Sequence, residues 1–288
     1  MMNRITAHPL AFLLLLTLAL SCKEQVQLPI EPAPNLATCR IAKEVYWNGW
    51  RPGANAKKEI VKAAGKSYEV MLARETTYSY DEQGRIVKED HKMAPFEARS
   101  TSVTNHTISY TYTPQAVYVL YSYQTKTYGD TIPLNEQGWR SREYERLFSY
   151  DAQGYEINSV DKTGRVLTQN FYDASMNLTV VKDSYSWRGA TYTYTYAYDL
   201  TRPNIPNKYF FYGRISPNLP VYFEFANDSN LEFPLGELVE LKSFYSFDQY
   251  NRVSRQIAVE THKYPDPYYG QYMHSGGIGV TDYTYECP

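Results

Sequence analysis

Residues 191–198 read Thr-Tyr-Thr-Tyr-Thr-Tyr-Ala-Tyr, and a chain with so strict an alternation has few folds open to it. With period two, every Tyr lies on one face of an extended strand and every Thr or Ala on the other; on a helix the same rings would scatter around the axis. Ser109-Tyr110-Thr111-Tyr112 and Tyr283-Thr284-Tyr285 repeat the pattern. Tyrosine is the compositional outlier, 30 of 288 residues, and it favours strands.

A second regularity sits between the alternating runs. Tyr80-Asp81-Glu82-Gln83-Gly84-Arg85 is echoed by Tyr150-Asp151-Ala152-Gln153-Gly154-Tyr155. Weaker copies start at Asn135, Asp161, Asp173 and Asp248. Asp or Asn at the first position of a type I turn accepts a backbone N–H, and Gly or Asn takes the left-handed position at its end. Each copy therefore predicts a hairpin. The fold class that follows is all-β: an antiparallel meander of successive hairpins, a curled sheet or partly open barrel with little helix. Lys57–Lys66 has the composition of two or three helical turns with Gly65 as a stop, a loop being the alternative. Residues 202–220 contain four prolines and are expected to cross one end of the sheet with a short helical turn, where a binding groove could be covered.

The first residues carry a different signal. Arg4 precedes an apolar run, Leu10 to Leu20, too short for a membrane span of about 20 residues, and Ala19-Leu20-Ser21-Cys22 is a small-residue cleavage context. The pattern resembles a bacterial lipobox, which implies a signal peptide over residues 1–21 and lipidation of Cys22. Residues 22–37, with Lys23-Glu24-Gln25 and Pro29, Pro32 and Pro34, read as an extended tether. A single β-meander domain then runs over 38–288, outer-membrane-anchored and facing the cell surface or the periplasm. Two further cysteines, Cys39 and Cys287, flank that domain in an exported, oxidising setting; a disulfide joining the chain ends is expected, two buried thiols being the alternative.

The turn units resemble the tyrosine-aspartate repeats of Rhs-type proteins. A wider resemblance rests on the order of lipobox, Tyr-x-Tyr-Asp-x-x-Gly-Arg hairpins, Asn204-Ile205-Pro206-Asn207-Lys208-Tyr209-Phe210-Phe211, Ile215-Ser216-Pro217-Asn218-Leu219-Pro220 and closing hairpins. It is similar to a Bacteroidota lipoprotein family with an uncharacterised domain described as porin-like. That resemblance implies a fold and no activity. A membrane-spanning barrel needs apolar residues on alternate, lipid-facing positions, whereas these strands alternate Tyr with Thr, Ser, Glu and Lys, and the chain finishes Tyr285-Glu286-Cys287-Pro288 rather than on an aromatic residue. The lipid anchor is then the only membrane contact expected.

Catalytic constellations do not emerge. His91, His106, His262 and His274 are far apart in sequence and show no metal-ligand spacing. His274-Ser275-Gly276-Gly277 lacks a nucleophile elbow, and Asp81-Glu82, Glu89-Asp90 and Asp228 sit in turn signals. A net charge of −2 has no basic face for nucleic acid. Neither cofactor nor metal is expected, nor enzymatic activity. The aromatic surplus is the remaining lead: exposed rings suit the apolar faces of sugars, so Trp47, Trp50, Trp139 and Trp187 are candidates for binding a glycan or another envelope ligand. A half-barrel carrying lipid or lipoprotein, and a structural or adhesive envelope component, are the alternatives. Asp130-Thr131-Ile132 resembles the O-glycosylation acceptor motif of exported Bacteroidota proteins, which would place Thr131 on an exposed loop before Pro133.

Overall fold

Each turn signature closes an antiparallel hairpin. The computed structural model describes residues 39–49, 57–94, 105–184, 191–227, 239–262 and 277–287. All belong to one unit, Asn35–Pro288. In chain order the strands are β1 (Arg40–Asn48), β2 (Lys58–Ala63), β3 (Lys66–Tyr80), β4 (Ile86–Met93), β5 (His106–Tyr112) and β6 (Ala116–Tyr123). There follow β7 (Lys126–Pro133), β8 (Arg142–Glu143), β9 (Arg146–Tyr150), β10 (Glu156–Val160), β11 (Val166–Tyr172) and β12 (Leu178–Asp183). The last are β13 (Tyr192–Pro203), β14 (Asn218–Asn227), β15 (Val239–Phe247), β16 (Val253–His262) and β17 (Ile278–Glu286).

Six turns share one chemistry. The Oδ1 atom of Asp81, Asn135, Asp151, Asp161, Asp173 and Asp248 accepts the amide four residues on. The backbone N–H of the same residue donates to the carbonyl at that position. The intervening left-handed residue is Gly84, Gly138, Gly154 or Gly164 with φ of 82–95°, Asn251 at 64°, and, against expectation, Met176 at 63°. Asn177, the residue better suited to that conformation, has its amide donating to Asn218 Oδ1 at 3.1 Å instead.

The turn shape slips the register by one residue where the hairpin begins, and such a bulge leaves a ladder carbonyl to be satisfied. Tyrosine supplies the donor. Tyr80 donates to the Ile41 carbonyl at 2.7 Å, Tyr112 to Ile86 at 2.8 Å, Tyr172 to Glu156 at 2.8 Å and Tyr198 to Leu178 at 2.7 Å. Tyr245 donates to Pro220 at 2.5 Å and Tyr285 to Val253 at 2.8 Å. Each acceptor borders a register shift on a neighbouring strand. Six of the thirty tyrosines thus serve as a construction device.

Consecutive strands pair antiparallel from β2 to β7 and from β8 to β17. Strand β1 then pairs with both β17 and β3 and brings the ends together. The result is a nearly closed antiparallel barrel with one unsealed seam. The seam lies between β7 and β8, which share the isolated bridge Leu134–Arg140 and a 2.8 Å bond from Ser141 N–H to the Pro133 carbonyl. Cys39 and Cys287 form the disulfide across the β1–β17 junction, with Cα atoms 4.2 Å apart.

Lys57–Lys66 is not helical. Val61 and Ala63 are buried while Lys58 and Lys62 are exposed, so period two prevails over helical composition. Ala64 and Gly65, with φ of 49° and 75°, make a tight turn from β2 into β3. This hairpin packs Val61, Ala63 and Val70 against Trp47, Val259, Ile278 and Val280. Arg255 clamps it, reaching Glu59 at 2.6 Å and Asp282 at 2.5 Å. Residues 1–38, Trp50, Trp187, His274 and Asp228 lie outside the described residues, and with them Cys22.

Candidate functional site

The long β13–β14 connection, residues 204–217, crosses the end of the barrel where the six-turn chemistry dominates, with a single 3-10 turn at Phe210–Tyr212, as its prolines led us to expect. It is pinned to both sides. On one side Tyr209 packs with Ile41, Tyr78 and Ile86, and Phe211 with Val117 and Val119. On the other, Arg140 N–H donates to the Phe211 carbonyl at 2.6 Å and Arg214 N–H to the Gly154 carbonyl at 2.8 Å. Ser216 Oγ accepts the Leu178 amide at 3.0 Å and donates to Tyr198 OH at 2.9 Å. The Arg140 contact also ties the connection to the seam.

Charge holds it as firmly as packing does. Lys208 Nζ lies 2.6 Å from Glu44 Oε1 and 2.9 Å from the Tyr78 hydroxyl, which itself donates to Glu44 at 2.6 Å. Glu89, 3% exposed, accepts from Tyr209 at 2.7 Å and Tyr110 at 2.5 Å, and its Oε2 is 3.0 Å from His91 Nε2. Burial works against the Glu89 carboxylate, but His91, Tyr110 and Tyr209 outweigh it and hold its pKa below the ordinary range. Burial dominates at Glu156, whose pKa is raised despite Arg140 at 3.1 Å. Burial, then Glu44, pushes the Tyr78 hydroxyl far up. Removing either partner of such a sequestered pair strands the other, at about 3–5 kcal/mol.

Sequence separation concealed part of this site. Glu89 and Asp90 lie in strand β4, not in a turn, and only Glu89 faces the connection. His91 and His106 stack at 4.3 Å, followed by Tyr123 at 4.7 Å from His106, Tyr128 at 5.6 Å from Tyr123 and Tyr121 at 4.8 Å from Tyr128. This ring ladder steps across β4, β5, β6 and β7, and Thr76 Oγ1 meets His91 Nδ1 at 3.0 Å. Cross-strand register was the signal that could have joined these residues: His91 pairs with His106, and His106 with Tyr123. Among the described residues no cluster of three or more His, Cys, Asp or Glu could hold a metal ion.

Trp47 is not an exposed platform. It is 5% exposed, it packs with Val61, Val70 and Val280, and its Nε1 donates to Asp282 at 2.9 Å. Thr131 is exposed but lies within strand β7, paired with Tyr118, not on a loop. Trp139 is half-buried and tilted against Tyr150 at 5.3 Å. It lies on Gly154, where an added Cβ would sit 2.5 Å from its ring. Around it Asn135, Gln137, Phe148, Ser149 and Asp151 line an open recess of about 530 Å³, in the size range of small-ligand sites. A ring flanked by amide, hydroxyl and carboxylate groups can stack on the apolar face of a ligand and hydrogen-bond its edge.

No protein-family model matches the chain, and no curated protein does. Among solved structures it is similar to a porin-like protein from Bacteroides uniformis ATCC 8492, at 16% identity over 85% of this chain and 98% of that one, with a TM-score of 0.51. A porin-like protein from Bacteroides vulgatus ATCC 8482 aligns at 11% identity over 86% of this chain and 98% of that one, with a TM-score of 0.31. The chain has the porin-like fold that its sequence resemblance implied, an antiparallel barrel with one open seam.

Proposed function

We propose that this protein is a cell-envelope binding module, anchored by lipid at Cys22, that uses a porin-like barrel to hold a glycan instead of conducting solutes. The observation that carries the reading is the connection 204–217, which crosses one end of the barrel and is bonded to its two sides through Lys208–Glu44, Tyr209–Glu89 and Arg214–Gly154. Opposite-facing positions on the same strands support it. They carry Lys43 paired with Glu75 at 2.7 Å, Lys88 paired with Asp90 at 2.8 Å, and the threonines of β5 and β13, where a lipid-facing wall would need an apolar band. A face lined by Glu44, Glu89, His91 and tyrosine hydroxyls also disfavours a lipid carrier, which needs an apolar cavity. Trp139 and its recess are the proposed glycan contact.

Three measurements test this. The full chain, screened on a glycan array, should bind a defined set of glycans and lose that binding on Trp139→Ala. Reconstituted in planar bilayers, it should give no unitary conductance. Steps of conductance, or array binding indifferent to Trp139, would overturn the reading. A Cys22→Ala chain that still partitioned with outer-membrane lipid would remove the anchor from it.

A further inference from the structure

One long strand of the wall has a neighbour on one side only. β7 pairs with β6 over its whole length, from Tyr123–Lys126 to Ala116–Pro133. On its other side β8 is two residues long, and past the Ser141–Pro133 bond and the Leu134–Arg140 bridge no strand of the described residues pairs with β7. Burial agrees. Lys126 to Thr131 are all exposed, whereas β6 alternates buried Val117 and Val119 with exposed Tyr118 and Leu120. Successive residues of a strand turn their amide and carbonyl to alternate neighbours. Leu134 N–H donates to the Gln115 carbonyl beside β6, and the Pro133 carbonyl accepts from Ser141 across the seam. Counting back from Pro133, Thr127, Gly129 and Thr131 turn their backbone groups to the seam. The Thr131 amide is taken by Asp130 Oδ1 at 2.7 Å, and the amides of Thr127 and Gly129 have no partner among the described residues. Such a row is a template for another strand, and proteins commonly guard it with charge.

On β7 the guards are two, opposite in sign and symmetrically placed. Lys126 and Asp130 stand two residues to either side of Tyr128 on one face, and neither has an ion-pair partner among the described residues. Tyr128 is 53% exposed. One side of its ring lies against Tyr121 and Tyr123 of β6, with interplanar angles of 16° and 9°. The other side is turned to the seam, so the ring ladder that begins at His91 ends there uncapped. A second β7, laid antiparallel with Tyr128 opposite Tyr128, answers all three features together. Thr127 and Gly129 exchange backbone hydrogen bonds with Gly129 and Thr127 of the second copy; each Lys126 faces an Asp130; and the two Tyr128 rings continue the ladder. A pairing centred on Gly129 keeps the backbone in phase but sets Lys126 against Ile132 and Tyr128 against Asp130. Lys-x-Tyr-x-Asp is its own complement when read backwards, which makes the guarded edge selective for a copy of itself.

We propose that the β7 edge is the interface of a two-fold symmetric dimer, in which the strands of two copies pair antiparallel about Tyr128. The test is sedimentation equilibrium of the full, disulfide-bonded chain from micromolar to millimolar concentration, with the fold of each variant checked by circular dichroism. The chain should dimerise, more weakly as salt is raised. Lys126→Glu and Asp130→Lys each set two like-charge pairs across the axis and should weaken the dimer about tenfold or more, while the double swap should restore it to within about threefold. Register is read separately by mild oxidation: Tyr128→Cys should cross-link to itself above the background of the parent chain, and Lys126→Cys and Asp130→Cys should cross-link when mixed and not alone. A monomer at every concentration would overturn the inference and leave the edge to a strand of another protein. A dimer indifferent to both charge variants, a double swap that restores nothing, or Tyr128→Cys chains that do not cross-link would overturn it equally.

Discussion

Truncating Phe211 to Ala separates a structural plug from a loosely docked loop. Phe211 is 1% exposed, packed on Val117 and Val119 and ringed by Tyr110, Tyr112, Tyr209 and Tyr212. Removing a fully buried Phe costs about 3–5 kcal/mol in transfer and cavity terms. Were the connection and the barrel one cooperative unit, Tm would fall by about 2–4 °C per kcal/mol, or about 6–20 °C in all. A connection that opens on its own would draw the loss from its docking equilibrium instead, and amides bonded to it would exchange about 10²–10⁴ times faster while Tm moved little. We expect the cooperative outcome, because Lys208–Glu44 and Tyr209–Glu89 tie the connection to β1 and β4 at the heart of the ladder. The assay is calorimetry alongside native-state hydrogen exchange, read at the amides of Arg140 and Arg214, whose acceptors are Phe211 and Gly154. A fall in Tm below about 2 °C, with unchanged exchange at both amides, would refute the packing argument.

The Cys39–Cys287 bridge closes a sequence separation of 248 residues, for which the chain-entropy estimate is about 5 kcal/mol; replacing both cysteines by Ser should lower Tm by roughly 10–20 °C in calorimetry, and a drop under 3 °C would count against that estimate. Because the Glu89 pKa is depressed in the fold, its contribution is complete above the unfolded value of about 4.3 and disappears as pH falls through the lower folded value; Glu89→Gln should be less stable at neutral pH and show a flatter acid limb in Tm measured against pH. Tyr112→Phe leaves the Ile86 carbonyl without its hydroxyl donor and should cost about 1–2 kcal/mol in urea unfolding, with no change in circular dichroism. Gly154, at φ 95° and in contact with the Trp139 ring, should tolerate no β-branched residue: Gly154→Val is expected to displace Trp139 and shift its fluorescence.

How far the chain could be read before its structure depended on the range over which each signal acts. Asp-x-x-Gly is a local code, so Asp81, Asp151 and Asp161 announced their hairpins at once, and alternation over Thr191–Tyr198 announced β13. Short-range composition misled at Lys57–Lys66, where helix-forming residues form a hairpin because Val61 and Ala63 have an apolar surface to cover, one presented by β16 and β17 nearly two hundred residues away. The site was less legible still. Lys208 and Glu44, Tyr209 and Glu89, and His91 and His106 become neighbours only through closure of the barrel or through strand register, which no local pattern encodes. Of the tryptophans, Trp47 lies in an alternating stretch of β1 on the face opposite Glu44, and its burial is decided by the β2–β3 hairpin that covers it.

The tyrosine hydroxyls that cap bulge carbonyls have a consequence for how such barrels change size. Four of the hairpins, those turning at Asp81, Asp151, Asp173 and Asp248, combine a turn acid and a left-handed residue with a slipped carbonyl capped by a tyrosine of the next strand, Tyr112, Tyr172, Tyr198 and Tyr285. Nothing in that unit refers to the circumference. A hairpin could be duplicated or deleted within the β9–β16 stretch without redesigning its neighbours, and the misfit would accumulate at the seam between β7 and β8, where two edges meet through one bridge. The gap in the wall is then the tolerance of a modular ring, the place where a count of hairpins need not come out even.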